Sequence, residues 1–174
     1  MAPTPAAASA PRRIREFGVP VRRTGDDCRF GPLGITSERW NTDDNGRADT
    51  GGHLHMRPRD RARIGQLALR RGAWNGAQLV SSAWIDASTS QHGRFDAGAN
   101  GGYGYLGWHG VEPWKLAHVD MFFANGAGGQ YIFVVPQLDL VVVFTGENTN
   151  IAAAPQAAYR ILDAYIVGAV NAGA

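Results

Sequence analysis

Hydrophobic and polar positions change period along this chain, and each change predicts an element. In MRPRDRARIGQLALRRG, Met56 to Gly72, the residues Ile64, Leu67, Ala68 and Arg71 follow helical spacing, which predicts a helix with one buried face. Pro58 suits its first position, and Asp60 lies in the first turn, where the helix dipole favours an anion. Arg70 and Arg71 are expected in the last turn, and Gly72 supplies the stop. Arg57 occupies the place where a Ser or Thr cap is usual. WNGAQLV carries the turn dipeptide Asn75-Gly76. SSAWIDAST reads as a short helix capped by Ser81 or Ser82, and YGYLGWHG as a strand with aromatics on alternate positions.

From Phe122 the period is two. FFANGAGGQYIFVVPQLDLVVVFTG reads as strand, glycine turn, strand, tight turn, strand, with Tyr131, Phe133 and Val135 alternating with Ile132 and Val134. PQLD is a four-residue turn, and LVVVFT is a continuous β-branched run of the kind found in central, well-covered strands. The last segment, APQAAYRILDAYIVGAV, predicts a helix whose apolar face is Ala158, Ile161, Leu162, Tyr165 and Ile166. The order is two helices, an antiparallel meander, then a covering helix, which is an α+β arrangement. No internal repeat occurs.

Composition narrows the class of partner. The chain has 174 residues, 44% hydrophobic and 18% charged, with 23 glycines, enough for one turn-rich domain with a core. A net charge of +2 is too small to argue for nucleic acid or a membrane surface. Arginines cluster in the first thirty residues (Arg12, Arg13, Arg15, Arg22, Arg23, Arg29) in text that is Ala/Pro-rich and aperiodic. A nucleic-acid-binding arm is one reading of that cluster; a leader at 1–29 with little order is the other. A single cysteine, Cys28, excludes an intrachain disulfide. No apolar run reaches the roughly 20 residues a bilayer requires, and the N-terminus lacks a charged stretch followed by an apolar one. As written, the product is expected in the cytoplasm.

Several motifs suggest chemistry and stop short of it. GYGYLG, Gly102 to Gly107, matches G-x-G-x-x-G, but its glycines alternate with aromatics inside an expected strand instead of opening a helix. NTDDNGRADTGG, Asn41 to Gly52, imitates an EF-hand loop up to Gly46, yet its twelfth position is Gly52 and not a bidentate Glu. His53 and His55 share a face if extended, as do His118 and Asp120, but three or four ligands must converge to hold a metal. No cofactor or metal is expected from these patterns. Ser90 stands beside His92 in STSQH, and no G-x-S-x-G elbow exists.

A resemblance runs through FGPLGI, GGHLHMRPRDRARIGQLALRRGAWNGAQLVSSAWIDAST, YGYLGW and ANGAGGQYIFVVPQLDLVVVFTG, covering about residues 30–165. Taken together, these resemble the C-terminal part of the serine hydrolases related to class C β-lactamases and penicillin-binding proteins, a group that includes esterases and 6-aminohexanoate-oligomer hydrolases. The resemblance implies a partial β-lactamase/penicillin-binding-protein-like fold for residues 30–174: an antiparallel sheet with flanking helices. It also implies acylation of a serine in Ser-x-x-Lys, a Tyr-x-Asn acid/base motif, and a third motif, Lys-Thr-Gly or His-Thr-Gly, on the sheet edge lining the pocket. Only the third maps here, onto Ala124, Asn125 and Gly126. The resemblance then gives Ala127 a backbone N–H role in an oxyanion hole and makes these four residues substrate-binding. Ala124 cannot supply the charge or donor of Lys or His.

The other two motifs are absent. The only lysine, Lys115, has Glu112 three residues before it, and none of the eight asparagines has Tyr two positions earlier. The expected function is therefore the C-terminal part of a serine hydrolase of esters, amides or β-lactams, inactive alone and without catalytic residues. Of the 17 basic residues all but Lys115 are arginine, which suggests GC-rich coding and a leader out of frame with the ancestral protein. A standalone binding module, self-associating through an exposed sheet, is the alternative. A hydrolase using Ser81, Ser82, Ser88 or Ser90 with an unrecognised base is a third.

Overall fold

The computed structural model describes residues 30–42, 52–94, 102–105, 107–109, 119–147 and 154–172. The leader 1–29, most of the Asn41–Gly52 loop, Lys115 and His118 lie outside the described residues. The Phe30 segment forms a short 3-10 turn, Gly31–Leu33, closed by Gly34 at φ 67°. Strands β1 (Arg39–Trp40) and β2 (Leu54–His55) pair antiparallel beside it. His53 has φ 56°, so it is not extended, and the shared face expected for His53 and His55 is not formed.

Helix α1 spans Pro58–Leu69, with Pro58 in its first turn and Arg57 as an N-cap that makes no side-chain bond. It ends before Arg70. Arg71 and Gly72 both adopt positive φ, 51° and 86°, so Arg71 belongs to the stop and not to the helical stripe. There its guanidinium reaches across to Asp86 (Nε–Oδ1 3.0 Å). Strands β3 (Ala73–Trp74) and β4 (Ala77–Gln78) form a hairpin closed by Asn75 and Gly76 at φ 47° and 81°, the pair of left-handed residues a two-residue turn requires. Helix α2 (Ser82–Ser88) begins at Ser81, whose hydroxyl accepts from the Trp84 N–H at 3.2 Å.

The remaining strands make one antiparallel meander. β5 (Gly93–Arg94), β6 (Gly102–Tyr103), β7 (Trp108–His109), β8 (Phe122–Gly126), β9 (Gln130–Val135) and β10 (Leu140–Phe144) lie side by side in sequence order. YGYLGWHG is thus two strands and a turn, because Tyr103 pairs with Trp108 and the Gly104 N–H bonds the Gly107 carbonyl. Gly104 is required at that corner: a Cβ there would sit 2.6 Å from the Ser88 carbonyl and 2.5 Å from that of Ser90.

LVVVF does not occupy a central strand. β10 is the end of the sheet, and no other described strand pairs with its outer side. Its residues are apolar on both faces because helices cover both faces. α1 lies over Ile132 and Val141, while Leu140, Val142 and Phe144 pack on the opposite side. That opposite face holds the main core. Phe123, Tyr131, Phe133 and Tyr159 meet at ring-centroid distances of 4.9–6.3 Å, mostly tilted or edge-on, arrangements that add to simple area burial.

The closing helix is α3 (Ala154–Ile161), a π-helical segment Leu162–Val167, and α4 (Gly168–Ala172). Ala158, Tyr159, Leu162 and Val167 are buried, whereas Ile161 and Tyr165 are exposed, Tyr165 by 73%. The π segment widens the turn, so Val167, five positions after Leu162, is fully buried beside a partly buried Ile166. That is why Val167 enters the core and Tyr165 leaves the predicted face. Among the described residues no helix is long and apolar enough to cross a membrane.

Two measurements check this packing. A Cβ at Gly65 would lie 2.6 Å from Val141 Cγ1 and 2.9 Å from Ile132 Cγ2. Both neighbours are stiff β-branched groups, so Gly65→Ala should lower unfolding free energy by about 1–2 kcal/mol, overpacking outweighing the ~1 kcal/mol gain in helix propensity. An unchanged or raised urea midpoint would mean that α1 does not sit this close. Burial raises the phenol pKa of Tyr131 and Tyr159. The unfolded chain therefore ionises first, near pH 10, and stability that is complete below that pH falls as pH rises above it. Tyr159→Phe should flatten the alkaline slope, measured by denaturant unfolding alongside tyrosinate absorbance.

Candidate functional site

The hairpin β8–β9 pairs Phe122 with Val134, Phe123 with Phe133, Ala124 with Ile132, Asn125 with Tyr131 and Gly126 with Gln130. On its other side β8 is covered for two residues only, since β7 pairs with Phe122 and Phe123. Ala124, Asn125 and Gly126 therefore form a strand end with no described strand beside it. In an antiparallel strand alternate residues turn N–H and C=O outward, so this segment has backbone donors and acceptors that no described strand pairs with.

Ala124 and Asn125 are exposed, Gly126 is half-buried, and Ala127 is exposed as the first residue of the turn. The four are contiguous in space as in sequence. Their side chains do not converge: Ala124 lies on the α1 face with Ile132, and Asn125 on the opposite face with Tyr131. One pocket cannot take both side chains, so what the four residues share is a stretch of backbone. The turn continues through Gly128 and Gly129 at φ 82° and 89°, a conformation that favours glycine.

Two residues the sequence did not single out hold this end in place. Arg61, in the first half of α1, donates to Gln130 Oε1, and Gln130 Nε2 donates to the Gly146 carbonyl just beyond β10. Gln130 lies directly across from Gly126, where a Cβ would come within 3.1 Å of the Gln130 Cβ. A side chain at 126 would crowd Gln130, which would have to shift by a few tenths of an ångström. The available signal was a long polar side chain opening a strand of apolar residues, directly after a glycine turn. The wall made by Ala124, Asn125, Gly126, Ala127, Gln130 and Arg61 can donate hydrogen bonds. None of its side chains is a nucleophile or an acid–base group that titrates near neutrality.

Of the four hydroxyls considered as nucleophiles, those of Ser81, Ser88 and Ser90 are engaged locally. Ser81 caps α2. Ser88 donates to the Ile85 carbonyl at 3.0 Å and Ser90 to the Asp86 carbonyl at 2.6 Å. His92 is not bonded to Ser90; its Nε2 lies 2.6 Å from the Ala87 carbonyl, and its ring stacks on Tyr105 at 4.4 Å. Among the described residues no group of three His, Cys, Asp or Glu converges to hold a metal ion.

No protein-family model matches the chain, and no curated protein does. Solved structures do match. The "Putative 6-aminohexanoate-dimer hydrolase from Bacillus anthracis" superposes with a TM-score of 0.65 at 24% identity, over 80% of this chain and 36% of that one. A "putative beta-lactamase from Bacteroides dorei" gives a TM-score of 0.47 at 16% identity over 71% of this chain and 43% of its own, too slight a likeness to argue from. The first likeness establishes the fold: this α+β chain, an antiparallel sheet with flanking helices, has the fold of part of that hydrolase and spans about a third of its length.

The Arg61–Gln130–Gly146 link is open to a direct test. Gln130→Ala should lower stability by about 1–3 kcal/mol, since it strips partners from a half-buried guanidinium and a carbonyl. A double-mutant cycle of Arg61→Ala with Gln130→Ala, read by urea unfolding, should show coupling of at least about 0.5 kcal/mol. Additive losses would show that the two side chains do not bond in solution.

Proposed function

We propose that this chain supplies one wall of a β-lactamase-related serine hydrolase site and is catalytically silent by itself. The observation that carries this reading is the open end of β8 in a fold shared with part of a hydrolase, joined to a sequence without Ser-x-x-Lys or Tyr-x-Asn. In the proposal the β8 edge receives a substrate backbone or carbonyl, and the Ala127 N–H acts as one oxyanion donor. Such a role needs only backbone, so Ala at 127 is compatible with it. The substrate class is a small ester or amide, acted on by the larger protein of which this chain is the C-terminal part. The serine and its base would come from that remainder.

A second reading has one observation in its favour. Helices of this chain cover both faces of the β9–β10 region, and Phe133, Val134 and Val135 are at most 2% exposed. That degree of closure supports a domain that folds without a further layer over these strands. In this reading the chain is a binding module that keeps the sheet without the chemistry. It would associate with itself through the outer edge of β10 and not through an uncovered sheet face.

Fluorophosphonate labelling tests the first reading. Intact-mass analysis should show no adduct on the chain under conditions that fully label a competent serine hydrolase. Nitrophenyl esters and a chromogenic β-lactam should turn over at the buffer rate. An adduct on Ser81, Ser82, Ser88 or Ser90 would sink the proposal and restore a serine nucleophile within these residues.

A further inference from the structure

Strand β10 ends the six-stranded sheet, and no other described strand pairs with its outer side. All of its residues pair with β9, from Leu140 opposite Val135 to Phe144 opposite Tyr131. A strand paired on one side only keeps alternate N–H and C=O groups pointing away from its neighbour. Solvent reaches that side. Every residue of β10 is only half-buried, whereas Phe133, Val134 and Val135 beside it on β9 are at most 2% exposed. Both faces carry cover, from α1 against Val141 and from the core cluster beside Leu140, Val142 and Phe144. The edge is the side left open.

Natural edge strands are guarded by charge, proline, a bulge or shortness. LVVVF has no charged residue and no proline, pairs with β9 without a bulge, and is five residues long. Its order is close to a palindrome. Set antiparallel to a second copy about a twofold axis at Val142, Val142 faces its own counterpart. Val141 then faces Val143 of the second copy, and Leu140 faces Phe144. Apolar meets apolar at every position, and β-branched pairs of this kind stabilise a sheet. Charge does not oppose the arrangement. Asp139, at the start of the strand, falls beside the uncharged Thr145 of the second copy, and its own carboxylate is met by Arg70 at 2.9 Å. The twofold uses both β10 edges, so assembly closes at two copies. At the other end of the sheet, β5 is only two residues long and offers little to extend.

We propose that two copies of this chain join β10 to β10 across a twofold axis at Val142, making one continuous antiparallel sheet. The proposal rests on the reading of the chain as a domain that folds by itself, and adds to it the register and the closed twofold form. Two five-residue strands offer less than the roughly 1,200 Å² that a standard interface buries, so the dimer is weak and reversible.

Amide hydrogen exchange on the full chain, resolved by residue with NMR, tests the pairing at low micromolar and at near-millimolar concentration. Alternate amides of β10 should slow as concentration rises, and those of β9 should not change. Sedimentation velocity over the same range should show monomer passing to dimer and nothing larger. Val142→Lys sets two like charges face to face and should abolish the dimer. Because Val142 also packs on the core, the register is checked separately with spin labels at the exposed Thr145, in a Cys28→Ser, Thr145→Cys chain. Six strand residues separate the two Thr145 positions, which places them about 20 Å apart. A folded chain that stays monomeric throughout would overturn the proposal and leave the domain reading intact. So would a dimer with a different label distance, or one that protects Ile161 and Tyr165 and not β10. A chain that shows no cooperative unfolding at low concentration would overturn both.

Discussion

The close approach of α1 to the sheet is the constraint on which the other contacts depend. Gly65 lets the helix backbone rest against Ile132 and Val141, and a helix rising about 1.5 Å per residue then runs beside β9 and β10 for roughly 18 Å. One turn before Gly65, Arg61 reaches Gln130. Asp60, buried at 5% exposure, accepts from Arg63 at 2.8 Å, and the same guanidinium nitrogen donates to the Gly34 carbonyl at 2.8 Å. At the far end Arg70 meets Asp139, in the left-handed turn between β9 and β10, at 2.9 Å. The Arg61–Gln130 and Arg70–Asp139 contacts run from α1 to the sheet, so a helix held further out would lose both.

The opposite face of the sheet is organised differently. There the packing is aromatic, with Phe123, Tyr131 and Phe133 layered under Tyr159. Flat rings tolerate several tilts, so this face is filled by shape and needs no glycine. The closing helix meets the core by changing its own winding, through the Leu162–Val167 π segment. Helix α1 on one face and the aromatic cluster on the other hold β9 and β10 between them, with β8 alongside β9. At the Ala127 end the open backbone edge faces outward beside the Arg61–Gln130 link. At the Phe122 end Asp120, His109 and Met121 line a small cavity.

Local sequence determined much of this protein. Asn75-Gly76, Gly128-Gly129 and PQLD make turns because few residues accept left-handed φ and proline presets its own. Pro58 and Gly72 bound α1, Ser81 starts α2, and the alternation in QYIFVV gives β9 its buried face. These are short-range effects of backbone sterics and of burying every second or fourth residue. The resemblance carried by ANGAGGQYIFVVPQLDLVVVFTG likewise pointed to the fold that the structure shows.

What tertiary structure alone decided is set by pairing between distant residues. LVVVF reads as a central strand because its apolarity reports covered faces, and nothing in it reports whether a neighbour lies alongside. YGYLGWHG reads as one strand because the Ser88 and Ser90 carbonyls that crowd Gly104, where the segment turns back on itself, come from outside it. Tyr165 falls on the helical stripe at regular spacing and leaves it once the helix winds more widely. Gln130 finds Arg61 sixty-nine residues away. Periodicity and turn chemistry are properties of neighbours along the chain. Lateral order, helix winding and the satisfaction of buried polar atoms are properties of neighbours in space.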